Sequence, residues 1–171
     1  GGTDTFTIAL ETEPTDSVTV GLSSSNTGEG TVLPASVVFD DTDWSVAQTV
    51  TVTGVDDAVD DGDVSYTIVT GDAVSADANY SGLAVDNTET TNLDNDAAGI
   101  VVNPTSGLTT SEDGTPTTFT IGLTTKPTAN VTIGLSSLDL TEGTVSADVT
   151  FTSADWSTAK TIVVTGVDDF V

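Results

Sequence analysis

Residues 6–32 read F-T-I-A-L-E-T-E-P-T-D-S-V-T-V-G-L-S-S-S-N-T-G-E-G-T-V, and residues 119–145 read F-T-I-G-L-T-T-K-P-T-A-N-V-T-I-G-L-S-S-L-D-L-T-E-G-T-V. At an offset of 113 these stretches share 17 of 27 positions. Asp43 to Val59 then matches Asp155 to Val171 at an offset of 112, with 12 of 17 identical. A unit of about 112 residues is therefore repeated. That length is too long for a solenoid repeat and suits a single domain, so the chain is expected to be beads on a string. The first repeat is placed at residues 1–97, lacking its first strand. The second is placed at 98–171, lacking its last two. The chain accordingly reads as a slice of a longer tandem array.

Inside the repeat, Phe6, Ile8 and Leu10 alternate with Thr and Ala, and Val18, Val20 and Leu22 do the same. Val50 and Val52 follow among threonines, then Val64, Tyr66 and Ile68, then Leu83 and Val85. Period-two alternation of β-branched and aromatic residues marks strands with one buried face. Turn-forming runs separate them: Glu13-Pro14-Thr15-Asp16, Asp61-Gly62-Asp63 and Ser81-Gly82. Strands are expected at 5–11, 17–22, 36–39, 48–55, 64–70 and 83–93, with one near Gly99–Asn103 opening the next repeat. No segment carries a helical period. About seven short strands in about 100 residues predict an all-β fold, an immunoglobulin-like antiparallel β-sandwich.

Composition narrows the function. The chain of 171 residues carries 27 acidic residues against 2 basic ones, a net charge of -25. Nucleic acid needs Lys and Arg for its phosphates, so it is excluded as a partner, and so are anionic membrane surfaces. No apolar run reaches the ~20 residues of a membrane span. With no His and no Cys, zinc sites of the usual kind, Ser-His-Asp and Cys-His catalysis, and disulfides are all excluded. The chain is expected not to be an enzyme. Divalent metal is the obvious remaining means of stiffening it.

Strand alternation sends successive loops to opposite poles. One pole is expected to collect Asp56-Asp57-Ala58-Val59-Asp60-Asp61-Gly62-Asp63, Asp94-Asn95-Asp96, the loop with Glu29 and the turn Ser111-Glu112-Asp113-Gly114. Two carboxylates ~5 Å apart repel by roughly 3 kcal/mol at an effective dielectric of ~20. Calcium, which takes six to eight oxygens in irregular geometry, resolves such crowding better than magnesium. Asp40, Asp41 and Asp43, together with Asp72 and Asp77, fall at the opposite pole and are expected in solvated turns. Trp44 and Trp156, in the recurring D-W-S, are expected to pack at the sandwich edge.

The run V-T-G-V-D-D-A-V-D-D-G-D, followed by a strand and a closing D-N-D, resembles the Calx-β domain, and most closely the repeats of large bacterial secreted surface adhesins. In that family an acid after the fifth strand, acids four and seven positions later, a C-terminal acidic triplet and a Glu near the start of the second strand hold calcium. The resemblance implies Asp56, Asp60 and Asp63, then Asp94 and Asp96, with Glu112 for the second repeat and Asp57 and Glu29 as further ligands. The internal match carries Glu29 to Glu142, and Asp56-Asp57 to Asp168-Asp169. The sequence departs from the family in using Asp where Glu is usual and in the neutral Asn95.

These readings converge on a calcium-binding extender repeat of a secreted or cell-surface adhesin. Calcium is expected to rigidify the junctions between repeats, and the partners are neighbouring repeats of the same chain, with any surface glycan or protein bound through other domains. The alternative is an adhesive module that itself grips carbohydrate or protein, or an accessory module of a secreted enzyme. Aromatic residues make up only 5% of the chain, which is poor material for a sugar platform.

Overall fold

The computed structural model describes residues 1–168. The fold is all-β, built from antiparallel sheets, and it divides into two compact units. Unit 1 comprises Gly1–Asp57 and Asp61–Asp94; unit 2 comprises Ala58–Asp60 and Asn95 onward. Among the described residues no helix is long and apolar enough to cross a membrane.

Unit 1 holds β1 (Thr3–Ile8), β2 (Val18–Ser24), β3 (Gly30–Leu33), β4 (Ser36–Phe39), β5 (Gln48–Gly54), β6 (Val64–Thr70), β7 (Val74–Ser75) and β8 (Thr88–Asn92). One sheet runs β1-β5-β3; the other runs β4-β2-β6-β8, with β7 paired to β2. Alternation in the sequence becomes alternation in burial. Val18, Val20 and Leu22 of β2 point inward, as do Val37 and Phe39 of β4 and Tyr66 and Ile68 of β6. They meet Val50 and Val52, which come from the other sheet through β5, in one apolar cluster. Two sheets sharing one core is an arrangement consistent with a β-sandwich.

Two elements differ from the sequence reading. β3 was not expected, because Gly30 and Pro34 bracket only three apolar or β-branched residues. It forms because Gly30–Leu33 pairs with Gly54–Thr51 on the free side of β5. The strand expected over 83–93 is confined to Thr88–Asn92. Residues 73–83 instead close on themselves, with Ala73 N donating to Leu83 O, Gly82 N to Ala73 O and Leu83 N to Tyr80 O. Gly82 supplies the positive φ of 76° that this turn requires. Asp77 organises it and is not solvated: it is 5% exposed, and its carboxylate accepts from Thr15 N and Asn79 N, each at 2.8 Å.

Unit 2 holds β9 (Ile100–Asn103), β10 (Pro116–Leu123), β11 (Val131–Ile133), β12 (Gly143–Val145), β13 (Val149–Phe151) and β14 (Lys160–Gly166). Its sheets are β12-β14-β10-β9 and β11-β13, around a core of Ile121, Phe151 and Ile162. The pairings follow those of unit 1 in register. Phe6↔Val50 corresponds to Phe119↔Ile162, Val32↔Val52 to Val145↔Val164, and Val18↔Phe39 to Val131↔Phe151. Trp44 and Trp156 are both half-buried, and Trp44 O accepts from Leu10 N at 3.0 Å.

Candidate metal centre

The acidic loop of unit 1 is positioned by the ladder that follows it. Val64 pairs with Asn92 at the end of β6–β8, so the residues just outside that ladder, Asp63 and Asp94, must come together. They do so reciprocally. Asp94 N donates to Asp63 Oδ1 at 3.0 Å, and Asp94 Oδ2 accepts from Gly62 N at 2.7 Å and Asp61 N at 3.1 Å. Gly62, at φ 77°, makes the bend that turns both N–H groups toward one carboxylate.

Glu29 enters from the opposite sheet. Its carbonyl accepts from Val55 N at 2.8 Å, which fixes it beside the start of the acidic loop. Asn92 then ties the two sheets at this end. Its Nδ2 donates to Val55 O at 2.7 Å and to Glu29 Oε2 at 3.2 Å. The backbone of β5 comes so close that a Cβ on Gly54 would stand 2.5 Å from Asn92 Oδ1.

The electrostatic result falls on Asp61. Partial desolvation, and then the charges of Glu29, Asp57 and Asp94, push its carboxyl above the ordinary Asp value. Four carboxylates from three separate stretches of chain thus act on one another, with Asp63 held against Asp94. Asp56 and Asp57 are exposed in the same loop. Among the described residues no three carboxylates form a ready-made cage for a metal ion. The carboxylates nonetheless offer only oxygen atoms, and the charges that act on Asp61 are all negative, which suits a hard cation.

Asp60 and Asp96 belong to unit 2, where Asp60 Oδ2 accepts from Ala98 N at 2.7 Å. Glu112 is exposed in a turn closed by Gly114 N to Ser111 O. Glu142 is exposed and reproduces the backbone role of Glu29, its carbonyl accepting from Val167 N at 3.0 Å. Asp168 is exposed, and Asp169 lies outside the described residues. Sequence reasoning passed over Asp61 and Asn92 as site residues. The adjacent Asp60-Asp61 pair offered a signal for Asp61. None existed for Asn92, whose role arises only when β8 meets β5 and β3.

Comparison with family models and with curated proteins finds no match to this chain.

Proposed function

We propose that the chain is a calcium-binding structural region of a secreted or cell-surface adhesin, made of immunoglobulin-like repeats of the Calx-β kind. Its role is mechanical and not catalytic: it extends and stiffens an array. The observation that carries this reading is Asp61, crowded by Glu29, Asp57 and Asp94 in a protein with 2 basic residues. Calcium supplies the missing positive charge. Glu29, Asp57, Asp61, Asp63 and Asp94 of unit 1 are the residues that would hold it, with Asp56 as a further acid of that unit that the family resemblance implies. Binding orders the acidic loops and so stiffens the junctions between repeats. A site of modest affinity, ~10⁻⁴–10⁻³ M, suffices for a module outside the cell.

Calorimetric melting in calcium and then in EGTA tests this. At a hundredfold excess over Kd, calcium stabilises its unit by about 2.7 kcal/mol. The double variant Asp61→Asn with Asp94→Asn loses that gain while keeping an oxygen for the Gly62 and Asp61 amides. Small-angle scattering supplies the mechanical arm, with a longer and narrower distance distribution in calcium. Equal melting of the wild type in calcium and EGTA sinks the metal reading. An unchanged maximum dimension, alongside a shifted melt, sinks the stiffening alone.

A further inference from the structure

Asn92 ends β8 and is half-buried. Its side-chain amide has two N–H groups, and each meets an oxygen beside the other sheet: Val55 O, just after β5, at 2.7 Å and Glu29 Oε2, just before β3, at 3.2 Å. Taking the calcium reading above as its premise, we propose that Asn92 is a positioning residue that separates folding of unit 1 from metal occupancy. Its neutral donor holds the Glu29 carboxylate where a cation would otherwise have to hold it.

The orientation of this amide is fixed by what faces it. Turned over, it would set Oδ1 against a carbonyl and a carboxylate, two acceptors with no proton between them. β8 delivers the side chain through its pairing, with Asn92 opposite Val64. The backbone of β5 makes room for it: a Cβ on Gly54 would stand 2.5 Å from Asn92 Oδ1. Gly54 has no positive φ, so close approach, and not backbone conformation, is what glycine provides here.

Glu29 is therefore held twice. Its carbonyl accepts from Val55 N at 2.8 Å, and its carboxylate is tied through Oε2, with Oε1 the atom a cation would take. Two residues beyond Asn92, the Asp94 carboxylate is fixed by Gly62 N and Asp61 N. Both acids are thus placed by N–H groups, one from a side-chain amide and the others from the backbone of the acidic loop. Such dipoles fix a carboxylate without cancelling its charge. The oxygens stay in position while the demand for a cation remains, and the fold, not the ion, meets the cost of ordering them.

Asn92→Asp inverts this arrangement at constant size. A carboxylate has acceptors alone, so it would face Val55 O and the Glu29 carboxylate with like polarity and add one more acid beside the cation. Where no formed site precedes the ion, metal binding becomes part of the folding free energy, and the unit would need calcium to fold as well as to stiffen. Unit 2 keeps the same receiving groups: Gly166 and Val167 match Gly54 and Val55, and Glu142 O accepts from Val167 N at 3.0 Å.

The test follows the full chain in two ways. The unit 1 melting midpoint is read from Trp44 in a Trp156→Phe background, and a titration with calcium chloride is followed by NMR at the Gly62 and Asp94 amides. In the wild type those amides are expected to shift in a saturable way. Asn92→Asp is expected to lower the midpoint in EGTA and recover it in calcium, so that the gap between the two media at least doubles. Gly54→Ala displaces the Asn92 amide and alters no carboxylate; it is expected to weaken calcium binding at the two amides at least threefold. An equal loss of midpoint in the two media, unfolding in both included, makes Asn92 a structural tie alone and overturns the proposal. An unchanged calcium affinity in Gly54→Ala overturns it too, and in both cases the calcium reading stands. Wild-type amides that do not respond to calcium overturn that reading itself, and this inference with it.

Discussion

Gly30 and Gly143 occupy the same place in the two units, each opening a strand that pairs with the end of the longest ladder. Neither has a positive φ, so alanine is conformationally acceptable at both. What surrounds them differs. A Cβ on Gly30 would lie 1.9 Å from Tyr66 Oη and 2.3 Å from Cζ, whereas a Cβ on Gly143 meets nothing closer than Thr165 O at 3.5 Å. Tyr66 is 6% exposed within the core, and its ring cannot yield without disturbing Ile68 and β3. Overpacking of this kind costs about 1–3 kcal/mol. Where there is room, replacing Gly by Ala instead gains about 0.4–1 kcal/mol through the unfolded chain. Gly30→Ala should therefore destabilise unit 1 by about 2 kcal/mol, while Gly143→Ala leaves unit 2 unchanged or slightly more stable. At about 4–8 °C per kcal/mol for a unit of this size, the unit 1 midpoint drops by about 8–16 °C. The chain has two tryptophans, one in each unit, so Trp156→Phe and Trp44→Phe backgrounds make fluorescence a reporter for each unit in turn. Equal effects of the two alanines, or a Gly30→Ala midpoint within a degree of the parent, would refute the packing argument. Because Glu29 precedes Gly30, the variant should also weaken the calcium binding proposed for that residue.

Two further outcomes follow from the core and from the lowered carboxyls. Phe39 and Phe151 are both 0% exposed and correspond across the units; truncating either to Ala costs about 3–5 kcal/mol and shifts only its own unit's transition in the same single-tryptophan backgrounds. Asp77 is held below its ordinary value by the Thr15 and Asn79 amides, and Asp155 well below it by the Lys160 ammonium and Thr152. A depressed folded pKa contributes stability that is complete above the unfolded value, about 3.9, and is lost as pH falls through the folded one. The contributions of Asp77 and Asp155 should therefore be constant from pH 7 to about 5 and decline progressively as pH falls below about 4, that of Asp155 persisting to the lower pH. Urea midpoints across that range, compared with those of Asp77→Asn and Lys160→Met, will show it; a contribution that vanishes above pH 5 in either comparison counts against these assignments.

How much of this was legible in the sequence depends on where each signal resides. β2, β4, β5 and β6 were readable because Val18, Val20, Val37, Phe39, Val50, Val52, Tyr66 and Ile68 carry the buried face themselves. β8, T-E-T-T-N, has no large apolar residue, and the expected strand was drawn outward to Leu83 and Leu93, which are 52% and 71% exposed. β3 escaped notice because its reason to exist is the vacant edge of β5 and not its own pattern. That the loops after β5 and β8 should share a pole was expected from strand alternation, while the individual acids after β5 were named through the family resemblance. The crowding at Asp61 and the bridge made by Asn92 required knowing that β8 ends against β5 and β3, a tertiary fact that no local run of residues encodes.

That bridge has a meaning under load. Tension applied to the two ends of unit 1 enters through β1 in one sheet and leaves through β8 in the other, and these strands share no ladder. The pull therefore tends to slide one sheet over the other across a greasy interface that resists shear poorly. Asn92, bonded at once to Val55 O and Glu29 Oε2, is a rivet through both layers where β8 leaves the fold. A stretched unit is therefore expected to yield early at that rivet, and a cation held by Glu29 as proposed should raise the force at which it fails.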